Sequence, residues 1–203
     1  MKKKINWKLF GKTVTWGLGG AADNLLYNGL NTLIFPIFNL GLGVNAALLG
    51  ILSTIPRLLD AVTDPLMGHI SDNTKTRFGR RRPFILAGAC LSGLLFFLLF
   101  LPSRDWSSNA VVFYYLPVLI VFYLCYTVYM IPYTALGFEL VRDPRKRVKV
   151  LAWRGYLGLA AGLLIPFLYK ACFWINDDEV VGVKWVGAGV GLVVALIGVL
   201  IFG

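Results

Sequence analysis

Residues 60–83 read DAVTDPLMGHISDNTKTRFGRRRP. Asp60 and Asp64, four residues apart, lie inside an apolar stretch long enough for a membrane helix, and an arginine-dense loop follows at once. A carboxylate at mid-membrane depth is costly, on the order of 2.5–3.5 kcal/mol on insertion scales. A pair on one span therefore calls for a function, and the usual one is a path for a cation or a substrate.

Outward from that stretch, the chain is apolar throughout. Its 203 residues are 58% hydrophobic, with a mean hydropathy of +0.72. Soluble domains are less apolar, about 45–50%. Six stretches reach the roughly 20 residues that span a bilayer core as helix: near 13–38, 45–70, 84–102, 111–136, 151–174 and 183–203. They leave no room for a soluble domain. The expectation is an all-α integral membrane protein, one six-helix bundle over residues 1–203.

The net charge of +10 is arranged by loop. Basic residues gather at the N-terminus (Lys2, Lys3, Lys4, Lys8, Lys12), in 71–83 (Lys75, Arg77, Arg80, Arg81, Arg82) and in 139–150 (Arg142, Arg145, Lys146, Arg147, Lys149). The alternate loops carry only Arg104, and Lys184 beside Asp177, Asp178 and Glu179. Positive loops face the cytoplasm. The N-terminus and loops 71–83 and 139–150 are therefore expected there, with the chain multi-pass in the plasma (inner) membrane. That distribution also argues against a nucleic-acid partner. The first span is too long and too polar for a cleavable signal.

Helical spacing gathers the polar residues of the spans into stripes. Span one carries Asp23, Asn24, Tyr27, Asn28 and Asn31; span two carries Ser53, Arg57, Asp60 and Asp64. Span four carries Tyr123, Tyr126, Thr127, Met130, Tyr133 and Thr134, and span five carries Trp153 and Arg154 above Gly155, Gly158, Ala161 and Gly162. Such faces turn away from lipid and meet inside the bundle. Asn, Thr and Gly serve equally well as interhelical packing. Five charges do not, since unpaired they would cost more than about 12 kcal/mol together. Arg57 is expected to pair with Asp60, and Arg154 with Asp23. Three acids against two bases leave one negative charge for a mobile H⁺ or Na⁺. Pro65 frees the Ala61 carbonyl on the same span, and Ser53 and Thr127 could add hydroxyl oxygens.

Enzyme chemistry finds no footing. HExxH, GxSxG and P-loop patterns are missing from the sequence, and Cys90, Cys125, Cys172 and His69 do not cluster. The expectation is a protein that is not an enzyme and has no cofactor beyond a co-transported ion.

Gly68, Asp72, Gly79, Arg80 and Arg81 resemble the loop 2–3 signature of the major facilitator superfamily. The longer string DAVTDPLMGHISDNTKTRFGRRRPF, with IPYTALGFEL at 131–140 and then Arg147 and Arg154, is similar to its glycoside–pentoside–hexuronide:cation symporter family. The resemblance covers the whole chain but only the first half of that fold, six of twelve helices. It implies alternating access, a cation (H⁺ or Na⁺) at Asp60 and Asp64 with Thr127 as a further ligand, and sugar hydroxyls on Asp23 and Arg154 with Tyr126 lining. Tyr27 and Asn28 share that stripe and complete the expected substrate site. Asp72, facing Arg80 or Arg81, is expected in a cytoplasmic gate. The family's type permease has Asp, Trp, Lys and Asn where Met130, Thr134, Ala22 and Thr63 stand here, which thins a sodium shell and removes a stacking platform. The leading reading is thus a cation-coupled sugar or glycoside symporter. Carriage of a nucleoside or lysolipid, and a non-transporting half that binds a partner bundle, are the alternatives. A second six-helix half, in cis, as a separate chain or by homodimerisation, and the surrounding lipid are the expected partners.

Overall fold

The computed structural model describes residues 7–141 and 143–203, excluding the side chains of residues 7–10, 12 and 145. Lys2, Lys3, Lys4 and Arg142, and the side chains of Lys8, Lys12 and Arg145, lie outside this description. Six α-helices follow one another: α1 (Trp7–Ile34), α2 (Ala46–Asn73), α3 (Arg82–Leu99), α4 (Ser108–Leu140), α5 (Pro144–Ile175) and α6 (Glu179–Phe202). A π-helical segment, Phe35–Gly41, continues α1. No strand occurs among the described residues.

Local chemistry sets the helix starts. Asn45 Oδ1 accepts from the Ala47 and Leu48 N–H groups, Ser107 Oγ from Ala110 N–H, and Asp178 Oδ1 from Val180 N–H. Each satisfies donors that a helix N-terminus leaves free. In the π segment the wider turn brings Ile37 and Phe38 into the core, and Asn39 Nδ2 donates to the Val44 carbonyl at 2.7 Å. The chain is thereby turned directly into α2. Pro56 and Pro65 lie inside α2, flanking Asp60 and Asp64. Each removes one backbone hydrogen bond, freeing the carbonyls of Leu52 and Ala61.

The main packing pairs are α1 with α5, α3 with α6, and α3 with α4, while α2 leans chiefly on α4. Leu26, Leu30 and Leu33 of α1 and Phe96, Tyr115 and Phe122 of α3 and α4 are wholly buried. Glycine lets backbones meet. A Cβ on Gly93 would lie 2.5 Å from the Gly191 carbonyl oxygen, and one on Gly191 would lie 2.3 Å from that of Gly93. The span-six glycines are therefore used within the bundle. A Cβ on Gly20 would lie 2.6 Å from the Arg154 carbonyl oxygen, so α1 and α5 touch beside Asp23.

Five helices, α2 to α6, are long and apolar enough to cross a membrane among the described residues. Six such stretches were expected; α1 falls short because it carries Asp23 and three asparagines and hands over to the π segment. Its polar stripe lowers its hydropathy, and its apolar side is spent on the core rather than on lipid.

Candidate functional site

Four helices bring the polar stripes together. Asp23 on α1 accepts from two partners: Tyr126 Oη of α4 at 2.5 Å and Arg154 Nη2 of α5 at 3.2 Å. The ion pair is partly sheltered, with side chains 23% (Arg154) and 19% (Asp23) exposed. Each oxygen of the carboxylate has its own donor, which fixes its orientation. The Arg154 guanidinium also lies over the Tyr133 ring, 5.3 Å from its centre, and approaches Met130 Sδ at 3.9 Å.

Two adjoining cavities open on this pair. One of about 250 Å³ is lined by Asp23, Asn24, Tyr27, Asn28, Tyr126 and Met130. The other, of about 400 Å³, runs along Gly20, Asn24, Gly155 and Gly158 between α1 and α5. Tyr27 stacks on Tyr126 with centroids 6.3 Å apart, so two rings wall the smaller cavity. The asparagine stripe is partly self-satisfied: Asn24 Nδ2 donates to Gly20 O, Asn28 Nδ2 to Asn24 Oδ1 at 2.8 Å, and Asn31 Nδ2 to Tyr27 O. Asn28 lines the smaller cavity.

Asp60 and Asp64, one turn apart on α2, form a second cluster. The hydroxyl of Thr127, only 4% exposed, donates to Asp64 Oδ1 at 3.2 Å. Thr63 Oγ1 is buried on the same stretch with no hydrogen-bond partner. Ser53 does not join them: its hydroxyl donates to Leu49 O of its own helix, two turns away. Arg57, expected to pair with Asp60, acts on it through its charge but makes no ion pair with it within 4.0 Å. Arg57 is exposed on α2 and reaches instead across to α1, 5.8 Å from the centre of the Tyr27 ring.

The loop residues form a network at the end shared by α2, α3 and α4. Arg81 donates through Nε and Nη2 to Asp72 Oδ1 and lies 3.2 Å from Glu139; Arg80 bonds Glu139 at 3.0 Å. Asp72 thus faces Arg81, and Arg80 turns to α4. Gly79 has φ +99°, a left-handed turn that a side chain would strain. Gly68 faces Ile131, with ordinary contact distance for an added Cβ. Sequence reasoning passed over Glu139, although it is the sole acid in the run at 131–140. Asn24 and Met130 were seen in the stripes without being assigned to the substrate site. No group of three or more His, Cys, Asp or Glu gathers among the described residues.

At the opposite end, Arg104 ties three connections together. It donates to both oxygens of Asp178 and to the Gly41 carbonyl, and lies 3.9 Å from Glu179, which accepts from Tyr169.

The fold is a bundle of membrane-spanning helices with the Asp23–Arg154 ion pair partly sheltered inside it. Residues 15–202 match the family model described as MFS/sugar transport protein. The chain is 32% identical over 155 residues to the inner membrane symporter YicJ of Escherichia coli (strain K12), covering 76% of this chain and 34% of that protein. It is 28% identical over 168 residues to the glucuronide carrier protein homolog of the same organism, covering 83% of this chain and 36% of that one. A lactose permease of Lactobacillus helveticus is 26% identical over 181 residues, 80% of this chain and 28% of its own length. The chain spans about a third of the length of the curated relatives it matches. It belongs to the MFS/sugar transport protein family, among the glycoside–pentoside–hexuronide:cation symporters of the major facilitator superfamily, and corresponds to the N-terminal half of that fold. It is a multi-pass membrane protein.

Proposed function

We propose that this chain forms one half of a secondary active transporter that carries a sugar or glycoside together with H⁺ or Na⁺ by alternating access. One observation carries the reading. Tyr126 and Thr127 are consecutive on α4, and they bond to carboxylates of two different clusters, Asp23 on α1 and Asp64 on α2. In this reading Asp23 and Arg154 hold sugar hydroxyls, with Tyr126, Tyr27 and Asn28 shaping the cavity. Asp60 and Asp64 take the cation, with Thr127 as a hydroxyl ligand. Filling either site shifts α4 or fixes it, which alters the other; linkage makes the effect equal in both directions.

The names of the relatives support the cargo class, since they include a lactose permease and a glucuronide carrier homolog. A second six-helix half, in cis, separate or as a homodimer, would complete the cavity. The outward apolar residues of α2 and α5 support it: Leu58 and Val62 are each 69% exposed and Leu159 is 71% exposed. The N-terminus and the basic loops 71–83 and 139–150 are assigned to the cytoplasmic side of the plasma (inner) membrane by their charge.

The test is uptake of labelled glycosides into vesicles under imposed Na⁺ or pH gradients, using the whole reading frame that encodes this chain. Gradient-driven accumulation is expected, and its loss in the Asp60→Asn, Asp64→Asn double variant. Undiminished accumulation in that variant would overturn the cation assignment. Accumulation of a nucleoside or lysolipid, with none of any glycoside, would overturn the cargo assignment.

A further inference from the structure

A groove of about 300 Å³ runs between Phe97 near the end of α3 and Lys184, Trp185 and Ala188 near the start of α6. Neither α3 nor α6 contributes a residue to the Asp23 or the Asp60–Asp64 cluster. The groove sits at the end of the bundle opposite the basic loops, with Lys184 and Trp185 in the second turn of α6 and Ala188 in the third. Its depth is therefore interfacial. Trp185 is 66% exposed at its rim, and Trp106 and Trp174 are exposed at the same end, as expected of the aromatic belt that marks the headgroup level. Below Trp185, Leu192, Val193 and Leu196 continue an apolar stripe down the outer side of α6.

Lys184 is the polar element of this groove. It has no carboxylate within 4.0 Å among the described residues; the nearby Asp178 is engaged by Arg104 and Glu179 by Tyr169. An ammonium at interfacial depth, above an apolar channel and beside an indole, matches one ligand chemistry. The phosphate of a lipid headgroup meets the ammonium, and the upper part of an acyl chain lies along Phe97 and Ala188. A free anion leaves the channel empty, and a zwitterionic lipid brings its own cation close to Lys184.

We propose that the Phe97–Lys184–Trp185–Ala188 groove is a binding site for an anionic phospholipid of the leaflet opposite the basic loops. One basic side chain near a membrane surface is worth roughly a fivefold preference for an anionic lipid. The site would anchor α6, and α3 through the Gly93–Gly191 contact, at a fixed depth.

Trp185 reports on the site directly. The whole chain is reconstituted in phosphatidylcholine vesicles with increasing fractions of brominated phosphatidylglycerol or, separately, brominated phosphatidylcholine. The fluorescence component lost in Trp185→Phe isolates this position from the other tryptophans. Quenching of that component is expected at about fivefold lower mole fraction of the glycerol lipid, and Lys184→Gln should bring the two lipids level. Equal quenching in the unmodified chain would overturn the proposal. So would a preference that survives Lys184→Gln, or one abolished by millimolar glycerol phosphate, which would mark an anion site without a chain. Helical circular dichroism of each variant guards against misfolding, and Lys184→Arg, which keeps the charge, should retain the preference.

Discussion

Trp16 and Tyr133 hold each other by reciprocal hydrogen bonds: Trp16 Nε1–H donates to the Tyr133 carbonyl at 3.1 Å, and Tyr133 Oη donates to the Trp16 carbonyl at 2.9 Å. Their rings stack with centroids 5.1 Å apart, both nearly inaccessible. Tyr129 adds a parallel bond from its hydroxyl to Gly19 O at 2.8 Å. α1 and α4 are thereby clamped one turn from Asp23, beneath the Arg154 guanidinium.

Removing the hydroxyl in Tyr133→Phe takes away the second donor of the Trp16 carbonyl, which keeps its bond within α1. A loss of about 0.5–1.5 kcal/mol is expected, read as a lower midpoint in detergent thermal unfolding. Tyr114→Phe, whose half-buried hydroxyl bonds Leu98 O near the bundle end, should cost less.

Gly191→Ala places a methyl on the Gly93 backbone, so α3 and α6 must part. Destabilisation of about 1–3 kcal/mol is expected. Gly189→Ala has open space and should be neutral or slightly stabilising, since alanine is the better helix former. Thermal unfolding of the two variants side by side checks the contrast.

Thr63→Val replaces a buried hydroxyl that has no partner with a methyl of the same shape. Stability should be unchanged or improved. If the hydroxyl serves a bound cation, Na⁺ or H⁺ dependence of uptake should weaken in the same variant while the unfolding midpoint holds.

Asp23→Asn retains the shape of the side chain but discharges the partner of Arg154. Glycoside affinity is expected to fall tenfold or more, about 1.4 kcal/mol, with cation binding affected less; Asp64→Asn should show the reverse. Equilibrium binding measured with each ligand separately distinguishes them. Equal losses of both ligands in both variants would show that the two clusters act as one site.

Asp178 gives the end of the bundle opposite the basic loops its acid response. Hydrogen bonds from Arg104 first, and then from the Val180 N–H, hold its carboxyl below the usual carboxylate range. Its pKa is lower folded than unfolded, so its contribution to stability is full above about pH 4, the unfolded value. It is lost as pH falls through the still lower folded value. Asp178→Asn should flatten that part of the stability curve, measured as unfolding midpoint against pH. The exposed setting keeps the effect small.

The helices were legible because lipid leaves the backbone few choices. A run of some twenty apolar residues must satisfy its own hydrogen bonds, and helix does so. The Asp23–Arg154 pair was legible for a related reason, since charges stranded in a bundle seek each other. What escaped depended on geometry that spacing does not encode. A π turn at Phe35–Gly41 changes the pitch without any change in apolar pattern. Arg57 had an acid one turn away and took a ring on another helix instead. Arg104 meets partners 63 and 74 residues distant, and the acid beside it in sequence, Asp105, gives no hint of them. Glu139 was hidden in the same way, as a single acid at the foot of an aromatic helix.

The two prolines of α2 bear on motion. Asn39 and Asn45 secure one end of that helix, and the Asp72–Arg81–Glu139 network secures the other. Pro56 and Pro65 weaken the stretch between them, where α2 has α4 as its chief neighbour. A rod pinned at both ends and notched twice bows rather than slides. The sideways travel is then greatest midway between the notches, where Asp60 lies, while Asp64 adjoins the second notch.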